Sequence, residues 1–428
     1  MSQLQIVHHF RIVFTAVGFL FTAYGVAAQD LERLFPQSFI VEVTNPVDFE
    51  RTDVFVNVSA ESIAGLDKKF NPNAFVVVLD GKEIASQYNE AGSPDPGIVL
   101  VLEKMAPSKT VALTVRYNKK GIAKREYEKK THAELSHKTG GEFVNREYLG
   151  GAFKNVDFLR VPREHKDHSW FIRYEGPGWE SDKVGYRFYL DQRNATDVFG
   201  KKTRDMILHH VGQDGFDSYH EMQPWGMDVM KVGKSLGIGS IGYNDNGTIH
   251  RVEKTDSVNC RIAHNGDVYS AITTNYYGWQ VPGNKVSLKS TLSIHAGARH
   301  TRALLDVTNG TLERLATGIV RDDKARLTTS VGDKDEFAFI ATYGRQSLNG
   351  DDLGLAVLFS GDLLESFSSD DFSHVVDLKV PGGTGLQYYF LAAWSGEPDG
   401  ITDEQTFLSY VRNLARELAN PVHISVKK

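Results

Sequence analysis

The sequence predicts a mostly β protein that combines a small N-terminal β-sandwich, a large antiparallel β-sandwich and one C-terminal helix. Short runs rich in Val, Ile, Phe and Tyr recur along the chain, and Gly, Asn, Asp and Pro turn residues separate them. One stretch near the C-terminus instead has helical periodicity. Hydrophobic residues make up 41% of the 428 residues, which is enough to bury apolar cores and excludes disorder over most of the length.

Residues 1–28 have the pattern of a cleaved secretory signal. Residues 1–11 contain no acidic side chain, 12–24 are poor in polar groups, and 26–28 are small residues that suit signal peptidase. An anchoring helix is the alternative, but a spanning helix needs ~20 apolar residues and this run is shorter. The pattern predicts a periplasmic or secreted protein without a stable membrane anchor.

Residues 29–120 are predicted to form the small β-sandwich domain. Candidate strands occur at 39–43, 53–58, 75–79, 98–102 and 111–117, and Asp80-Gly81 has the signature of a two-residue hairpin. Residues 121–147 follow as a polar connector, because their lysines and arginines are balanced by glutamates in the manner of a solvated face.

Residues 148–428 are predicted to form the large β-sandwich, which would be the catalytic domain. Its clearest candidate strands are at 185–190, 268–274, 286–295, 336–342 and 353–359. These are too many strands for a simple immunoglobulin-like unit. The absence of a fixed sequence period argues against a propeller or a solenoid.

The C-terminal helix is predicted from its cap and its apolar stripe. Thr402 can cap the helix, Gln405 can complete a capping box, and Asn420-Pro421 ends it. The residues that share one face are Phe407, Tyr410, Val411, Leu414 and Leu418.

Charge and cysteine content exclude several functional classes. Lys and Arg number 48 against 54 Asp and Glu, a net charge of -6, so the chain has no basic excess for a nucleic-acid partner. The single Cys260 cannot form an intrachain disulfide or a thiolate metal cage. The glycines at 237–242 match a dinucleotide fingerprint, but turn residues follow where a helix would have to begin.

Tryptophan and histidine concentrate between residues 164 and 279. Of the five tryptophans, Trp394 alone lies outside this stretch. Sugar rings present flat C–H faces to aromatic rings and hydroxyls to polar side chains, so such a cluster on a β scaffold favours a carbohydrate cleft. Core packing of the tryptophans is the alternative interpretation.

Two motifs in this stretch carry a family resemblance: EGPGWESDKVGYRFYLD at 175–191 and YHEMQPWGMDV at 219–229. They resemble a bacterial family of exported proteins encoded in polysaccharide-utilisation loci for uronate-containing glycans. That family includes an ulvan oligosaccharide dehydratase, so the resemblance implies removal of water from a non-reducing terminal uronate to give a 4,5-unsaturated uronate. It also implies a galactose-mutarotase-like supersandwich for the large domain.

The chemistry of dehydration suggests roles for residues in the motifs. A cation must neutralise the uronate carboxylate while the proton on carbon 5 is removed, and Arg187 and Arg204 are the candidates. An internal salt bridge with Asp182 or Glu180 is the alternative for Arg187. His220 is the predicted base; the predicted proton donors to the leaving hydroxyl are Tyr219 or Tyr189, with His168 as a competitor.

The remaining predicted roles concern sugar contacts and metal. Trp179 and Trp225 would stack on sugar rings, while Glu180 and Asp228 would accept hydrogen bonds from hydroxyls. The sequence leaves open whether a divalent metal is a cofactor. Its candidate ligands are His209, His210, His220 and Asp228. Two other functions also stay open: a glycoside hydrolase using Glu180 and Asp228, and a non-catalytic glycan-binding or mutarotase-like protein.

Overall fold

The computed structural model describes residues 28–332, 336–382 and 385–428. The predicted signal segment therefore lies outside the described residues, apart from its last residue. The chain is mostly β with a sandwich-like fold, as predicted. Every helix in the described part is too short or too polar to cross a membrane.

The N-terminal β unit consists of two sheets that enclose one apolar core. Its five-stranded sheet has the order β29-β1-β7-β3-β4 and its three-stranded sheet the order β2-β6-β5. Alternating valines such as Val41 and Val56 point into the shared core and are fully buried. The strands are β1 (Gln37–Thr44), β2 (Arg51–Ser59), β3 (Phe75–Leu79), β4 (Lys82–Ile84), β5 (Ser86–Asn89), β6 (Gly97–Met105), β7 (Thr110–Tyr117) and β29 (His423–Lys427).

Two details of this unit bear on the sequence analysis. The predicted hairpin at Asp80-Gly81 is confirmed: both residues have positive φ, 49° and 78°, as a primed turn between β3 and β4 requires. Helices α1 (Ala28–Leu34) and α2 (Ala60–Leu66) flank the sheets. Strand β29 comes from the other end of the chain and pairs with β1.

The large sandwich is built on a nine-stranded antiparallel sheet of order β11-β18-β19-β20-β21-β28-β25-β24-β23. Its strands are β11 (Phe158–Arg160), β18 (Ser257–Asn265), β19 (Tyr269–Val281), β20 (Asn284–His295), β21 (His300–Asn309), β23 (Ala325–Ser330), β24 (Phe337–Gly344), β25 (Leu353–Ser360) and β28 (Leu386–Trp394). All five strands predicted from sequence in this part of the chain are confirmed within the tolerance of strand ends.

Two five-stranded sheets pack against one face of this large sheet. The first has the order β15-β14-β13-β12-β8 and the second β17-β16-β22-β27-β26. Trp179, Tyr186 and Phe390 meet in the core between the layers. The strands are β8 (Thr131–Glu134), β12 (Gly178–Ser181), β13 (Val184–Phe188), β14 (Thr196–Lys201), β15 (Gly226–Asp228), β16 (Gly242–Asp245), β17 (Thr248–Arg251), β22 (Arg314–Val320), β26 (Leu364–Ser369) and β27 (Ser373–Lys379).

The segment predicted as a polar connector, 121–147, is more structured than its charge suggests. It contributes β8 to the first five-stranded sheet and the strand β9 (Ser136–Val144), which forms a hairpin with β10 (Glu147–Asn155). Lys124, Glu126 and Glu128 are exposed, whereas Ala133 and Leu135 are buried. The division of the chain into separately folding domains stays a prediction.

Helix α3 (Glu404–Ala419) covers the opposite face of the nine-stranded sheet through Phe407, Val411 and Leu414. The predicted cap was wrong by one residue. Asp403, and not Thr402, is the N-cap, because its carboxylate accepts a hydrogen bond of 2.8 Å from the backbone N–H of Thr406. A capping box with Gln405 is therefore not formed, since Thr406 occupies the third helical position.

Candidate functional site

The strand register of the first five-stranded sheet places three ionisable side chains on one face. Arg187 of β13 lies opposite Asp197 of β14, and Asp228 of β15 lies opposite Phe199 of β14. Successive side chains alternate between faces, so these three point away from Tyr186, which lies in the core. The pairing of the three strands therefore puts one cation between two carboxylates on the outer side of the sheet.

Arg187 is the centre of a buried polar network. Its Nε and Nη2 donate to Asp197 Oδ2 at 3.1 and 2.7 Å, and Nη2 also donates to Asp228 Oδ2. Nη1 donates to the hydroxyl of Tyr219 at 2.8 Å and lies 3.7 Å from Glu175 Oε2. We call these residues, together with Tyr189 and His220, the Arg187 network.

Arg187 is therefore not an open anchor for a substrate carboxylate. Its side chain is only 2% exposed, and the rings of Tyr189, Phe199 and Tyr219 lie around the guanidinium with centroids 4.9–5.3 Å from Cζ. The predicted carboxylate-binding role is wrong for this arrangement because the donors are already used. The structure favours the internal salt bridge, with Asp197 and Asp228 in place of the expected Asp182 or Glu180.

Burial and neighbouring charges set the ionisation of the network. Burial raises the pKa of Asp197, and the nearby charge of Asp228 raises it further. Burial would also raise the pKa of Glu175, but the charges of Arg187 and Arg193 outweigh it and lower that pKa. Burial raises the pKa of the Tyr219 hydroxyl, which keeps this group protonated.

His220 brings the network to the surface. It ends a short 3-10 turn, Ser218–His220, so Tyr219 points inward while the His220 side chain stays 41% exposed. Its Nε2 lies 3.4 Å from Asp228 Oδ2, and this carboxylate raises the pKa of the imidazole. The other ring nitrogen, Nδ1, has no hydrogen-bond partner among the described residues.

A second imidazole belongs to the same region. His168 is exposed, and its Nδ1 lies 2.7 Å from Asp167 Oδ1. Arg193 links this pair to the network: its guanidinium lies 2.8 Å from Asp167 and 2.6 Å from Glu175. Both exposed imidazoles are thus held by carboxylates that are connected through Glu175 and two arginines.

The backbone that carries this second imidazole is strained. His168, Trp170, Tyr174 and Glu175 have φ values of 58°, 54°, 37° and 73°. These side chains rarely adopt the left-handed region, and such residues cluster at functional sites where the surroundings hold them in place. The four outliers within eight positions mark the loop at 168–175 as part of a built site.

An unpaired cation lies beside the aromatic side chains of this loop. Lys138 of β9 is 6% exposed, and its Nζ lies 3.3 Å from the ring centroid of Trp170. It makes no ion pair with any residue that the structure describes, and burial lowers its pKa. The Trp170 ring neighbours Phe216, whose centroid is 5.0 Å from that of His168. Lys138, Trp170, Phe216 and His168 thus form a continuous row, which we call the Lys138 row.

Two further predicted site residues lie elsewhere in the fold. Trp179 is 1% exposed, stacks on Tyr186 in the core and donates from Nε1 to Thr301, so the predicted sugar stacking is wrong. Glu180 is fully buried and paired with Lys201 at 2.7 Å, which leaves no acceptor for a sugar hydroxyl or a hydrolytic role. Strand alternation turns Trp179 into the core and Glu180 to the opposite face of β12, where Lys201 and the backbone N–H of Ile207 donate to its carboxylate.

The three remaining predicted site residues are Arg204, Trp225 and Tyr189, and they lie in different places relative to the Arg187 network. Arg204 pairs with Asp399 and lies 3.9 Å from Asp182, and within the described part of the chain it forms no ion pair with the Arg187 network. Trp225 is half-buried and packs edge-on against Phe199 at 5.9 Å, at the rim of the network. Tyr189 is buried and its hydroxyl donates a hydrogen bond to Asp197 Oδ2. Its proton therefore bonds to the protein and not to a substrate.

The predicted metal ligands do not converge. His209 and His210 adjoin each other on a turn, with ring centroids 3.8 Å apart, but they form no ligand cluster with His220 and Asp228. In the described residues the one group close enough to hold an ion is Asp167, His168 and Glu175. The guanidinium of Arg193 contacts both carboxylates of that group, so a cation already occupies the position of a metal.

Sequence reasoning missed Lys138, Glu175, Arg193 and Asp197. Asp197 follows Arg187 at a distance that suits opposite positions of a hairpin, which is a signal that could have found it. Glu175 begins the first motif but was given no role. Nothing in the sequence pattern marks Lys138, because its lack of a partner depends on tertiary packing.

Comparison with known proteins places the chain in a family. The sequence matches the model of a family described as a domain of unknown function (DUF4861) over residues 43–424. The chain belongs to this family. No curated protein matches it by sequence.

The fold is similar to two solved structures of proteins from Enterococcus faecalis. One is a protein in the glycosyl hydrolase family 38 and the other is an alpha-mannosidase. Each is 10% identical in sequence to this chain, with a TM-score of 0.48. The alignment with the family 38 protein covers 91% of this chain and 47% of that protein. The alignment with the alpha-mannosidase covers 92% of this chain and 46% of that protein. The chain spans about half the length of the structures it matches.

Proposed function

We propose that the protein is a hydro-lyase that removes water from the non-reducing terminal uronate of ulvan-type oligosaccharides and leaves a 4,5-unsaturated uronate. The observation that carries the reaction type is the pair of exposed imidazoles, His220 and His168, each backed by a carboxylate of one connected network. The choice of an ulvan-type substrate and a periplasmic or secreted location follows from the sequence resemblance and the predicted signal.

His220 acts as the base in this proposal. Asp228 holds Nε2, so Nδ1 takes the proton from carbon 5 of the sugar. Arg187 fixes Asp228 and Tyr219 around the imidazole and is a positioning residue. The carboxylate next to the ring raises the pKa of His220, which makes its neutral form a stronger base.

His168 acts as the acid. Nδ1 lies 2.7 Å from Asp167 Oδ1, so Nε2 of the protonated ring donates to the hydroxyl on carbon 4. The C5–H and C4–O bonds break, a C4–C5 double bond forms, and the hydroxyl leaves as water. We favour His168 over Tyr219 and Tyr189 because both tyrosines are at least 96% buried in the network, while His168 is exposed.

Lys138 neutralises the uronate carboxylate. An ammonium without a carboxylate partner, held on the face of Trp170, suits an anionic group of a ligand better than Arg187, whose charge is already balanced. Neutralisation matters because removal of the carbon 5 proton would otherwise place a second negative charge beside the carboxylate. Trp170 and Phe216 supply the flat apolar surface for the sugar ring.

The test uses saturated oligosaccharides that end in a uronate, with the same oligosaccharides reduced to a neutral terminal sugar as matched substrates. We expect ultraviolet absorbance of an unsaturated uronate and loss of one water by mass spectrometry, without shortening of the chain. The neutral substrates should give no product. Chain shortening without absorbance would instead identify a hydrolase, and unchanged uronate substrates would refute catalysis.

A further inference from the structure

A cavity of about 340 Å³ lies between the N-terminal β unit, the nine-stranded sheet and helix α3. It occupies the opposite face of the large sheet from the core: Thr301 bonds to Trp179 in the core, while the adjacent His300 and Arg302 line the cavity. Its volume is at the lower end of the roughly 300–1,000 Å³ of small-molecule sites. The Arg187 network contributes none of its lining residues.

Each charged group of the cavity wall has a partner; Glu50 pairs with Lys104 outside the cavity, and the other charged groups pair within the wall. Lys183 lies 2.8 Å from Asp53, and Arg302 lies 2.6 Å from Asp95. A third pair at the α3 side joins Arg51 to Glu417 at 3.6 Å. Because each cation of the wall has its own carboxylate, the wall offers polar contacts without an unpaired cation to attract a carboxylate.

Two histidines supply hydrogen-bonding groups that the protein itself does not use. His295 and His300 lie with ring centroids 5.1 Å apart. Nδ1 of His295 is 2.9 Å from the carbonyl of Ala296, which leaves its Nε2 without a partner in the described structure. Nδ1 of His300 is buried and has no hydrogen-bond partner among the residues that the structure describes. A buried polar atom without a partner costs free energy that a ligand can recover.

Aromatic rings complete the wall. Tyr269 and Tyr389 line the cavity, and Phe55 stacks on His295 at 5.3 Å. Burial lowers the pKa of both histidines, so each presents a neutral ring with one donor and one acceptor. Donor and acceptor groups beside flat apolar faces match a sugar, whose hydroxyls both donate and accept.

We infer that this cavity is a second saccharide site that takes a neutral glycosyl unit, bound by His295 and His300. It is separate from the proposed catalytic site, and its occupancy does not depend on dehydration. The paired wall charges give it no preference for a uronate over the corresponding neutral sugar.

The test is calorimetric titration of the full chain with methyl glucoside and methyl galactoside, each matched with the glycoside of its uronic acid. We expect the neutral glycosides to bind and the His300→Ala variant to weaken their binding about tenfold or more. The matched control is His250→Ala, on β17 and outside the cavity, which should bind as the unmodified protein does. Lys138→Met should leave neutral binding unchanged, which separates this site from the catalytic one.

A second variant distinguishes loss of the binding site from loss of folding. Asn413 is an exposed residue of α3 at the rim of the cavity, so Asn413→Trp should close the entrance and abolish neutral binding with an unchanged melting temperature. The inference is overturned if no neutral glycoside binds, if the uronate of a matched pair binds more tightly at this site, or if Asn413→Trp binds normally. None of these results bears on formation of the unsaturated product.

Discussion

At the scale of single residues, His220 has the clearest expected effect on chemistry. Replacing it with alanine removes the proposed base but none of the buried ion pairs, since Asp228 keeps Arg187. We expect turnover to fall about 100-fold or more, with little change in oligosaccharide affinity. Steady-state kinetics with isothermal binding would measure both, and His210→Ala, another exposed histidine outside the network, is the control. An equal loss of affinity would point to a binding role.

The ionisation of His220 predicts the acid side of the pH profile. The base must be neutral, so kcat/KM should rise as pH increases through the raised pKa of the imidazole. Asp228→Asn removes the carboxylate that raises this pKa, so the rising limb should move to lower pH. A limb that stays in place in the variant would show that another group controls it.

Lys138 tests recognition of the carboxylate. Lys138→Met keeps an unbranched side chain on Trp170 but removes the charge, so KM for uronate substrates should increase about tenfold or more. Lys154→Met is the control, because Lys154 lies exposed on the neighbouring strand β10. Unchanged kinetics in Lys138→Met would remove this residue from substrate binding.

The residue scale also shows what a single sequence conveys. Tyr219, His220 and Asp228 could be selected from their motif, and the structure joins all three to Arg187. Trp179 and Glu180 could not be separated from them, since the face on which a strand residue lies depends on register. Lys138 could not be selected from the sequence, because an unpaired charge is recognised only after its neighbours in the fold are known.

At the scale of elements, the cap of α3 gives a direct test. Asp403→Ala should lower the free energy of unfolding by about 1 kcal/mol, because the backbone N–H of Thr406 loses its acceptor. Thr402→Ala should leave stability nearly unchanged. Chemical denaturation measures both, and the opposite order would restore the cap predicted from sequence.

The pair of Glu180 and Lys201 supports the sheet that carries the site. Glu180 accepts hydrogen bonds from Lys201 and from the backbone N–H groups of Ile207 and Leu208, so it anchors the loop that follows β14. Glu180→Ala leaves a buried ammonium without its partner and should cost about 3–5 kcal/mol of stability. Thermal unfolding checks this; a variant that is stable but inactive would indicate a catalytic role.

Strands were easier to predict than their partners. Alternating or continuous apolar runs and turn residues locate most strands of both sandwiches, because these signals are local. The order β29-β1-β7 and the placement of β8 beside β12 depend on contacts between residues far apart in sequence. The charged connector was underestimated for the same reason: its strand β8 pairs with β12, more than 40 residues further along the chain.

At the scale of the whole molecule, the last strand returns to the first sheet. β29 pairs with β1 over residues 423–427, and Ile424 and Val426 pack on the core of the N-terminal unit. The C-terminal segment thus ties this unit to α3, and α3 in turn covers the nine-stranded sheet. The N-terminal unit is consequently completed by residues outside the predicted 29–120 domain.

Removing residues 422–428 should therefore weaken the N-terminal unit more than the large sandwich. Truncation exposes one edge of β1 and takes apolar side chains from the core of that unit, while the sheets around Arg187 keep all their strands. We expect calorimetry to show that this unit unfolds at a lower temperature than in the full chain. Below that temperature, the rate at which the unsaturated product forms should be unchanged. A matched variant, Ser425→Ala, keeps the strand and should melt as the full chain does. If the truncated chain instead melts in one unchanged transition, β29 does not stabilise the unit, and residues 29–120 would form a domain complete in itself.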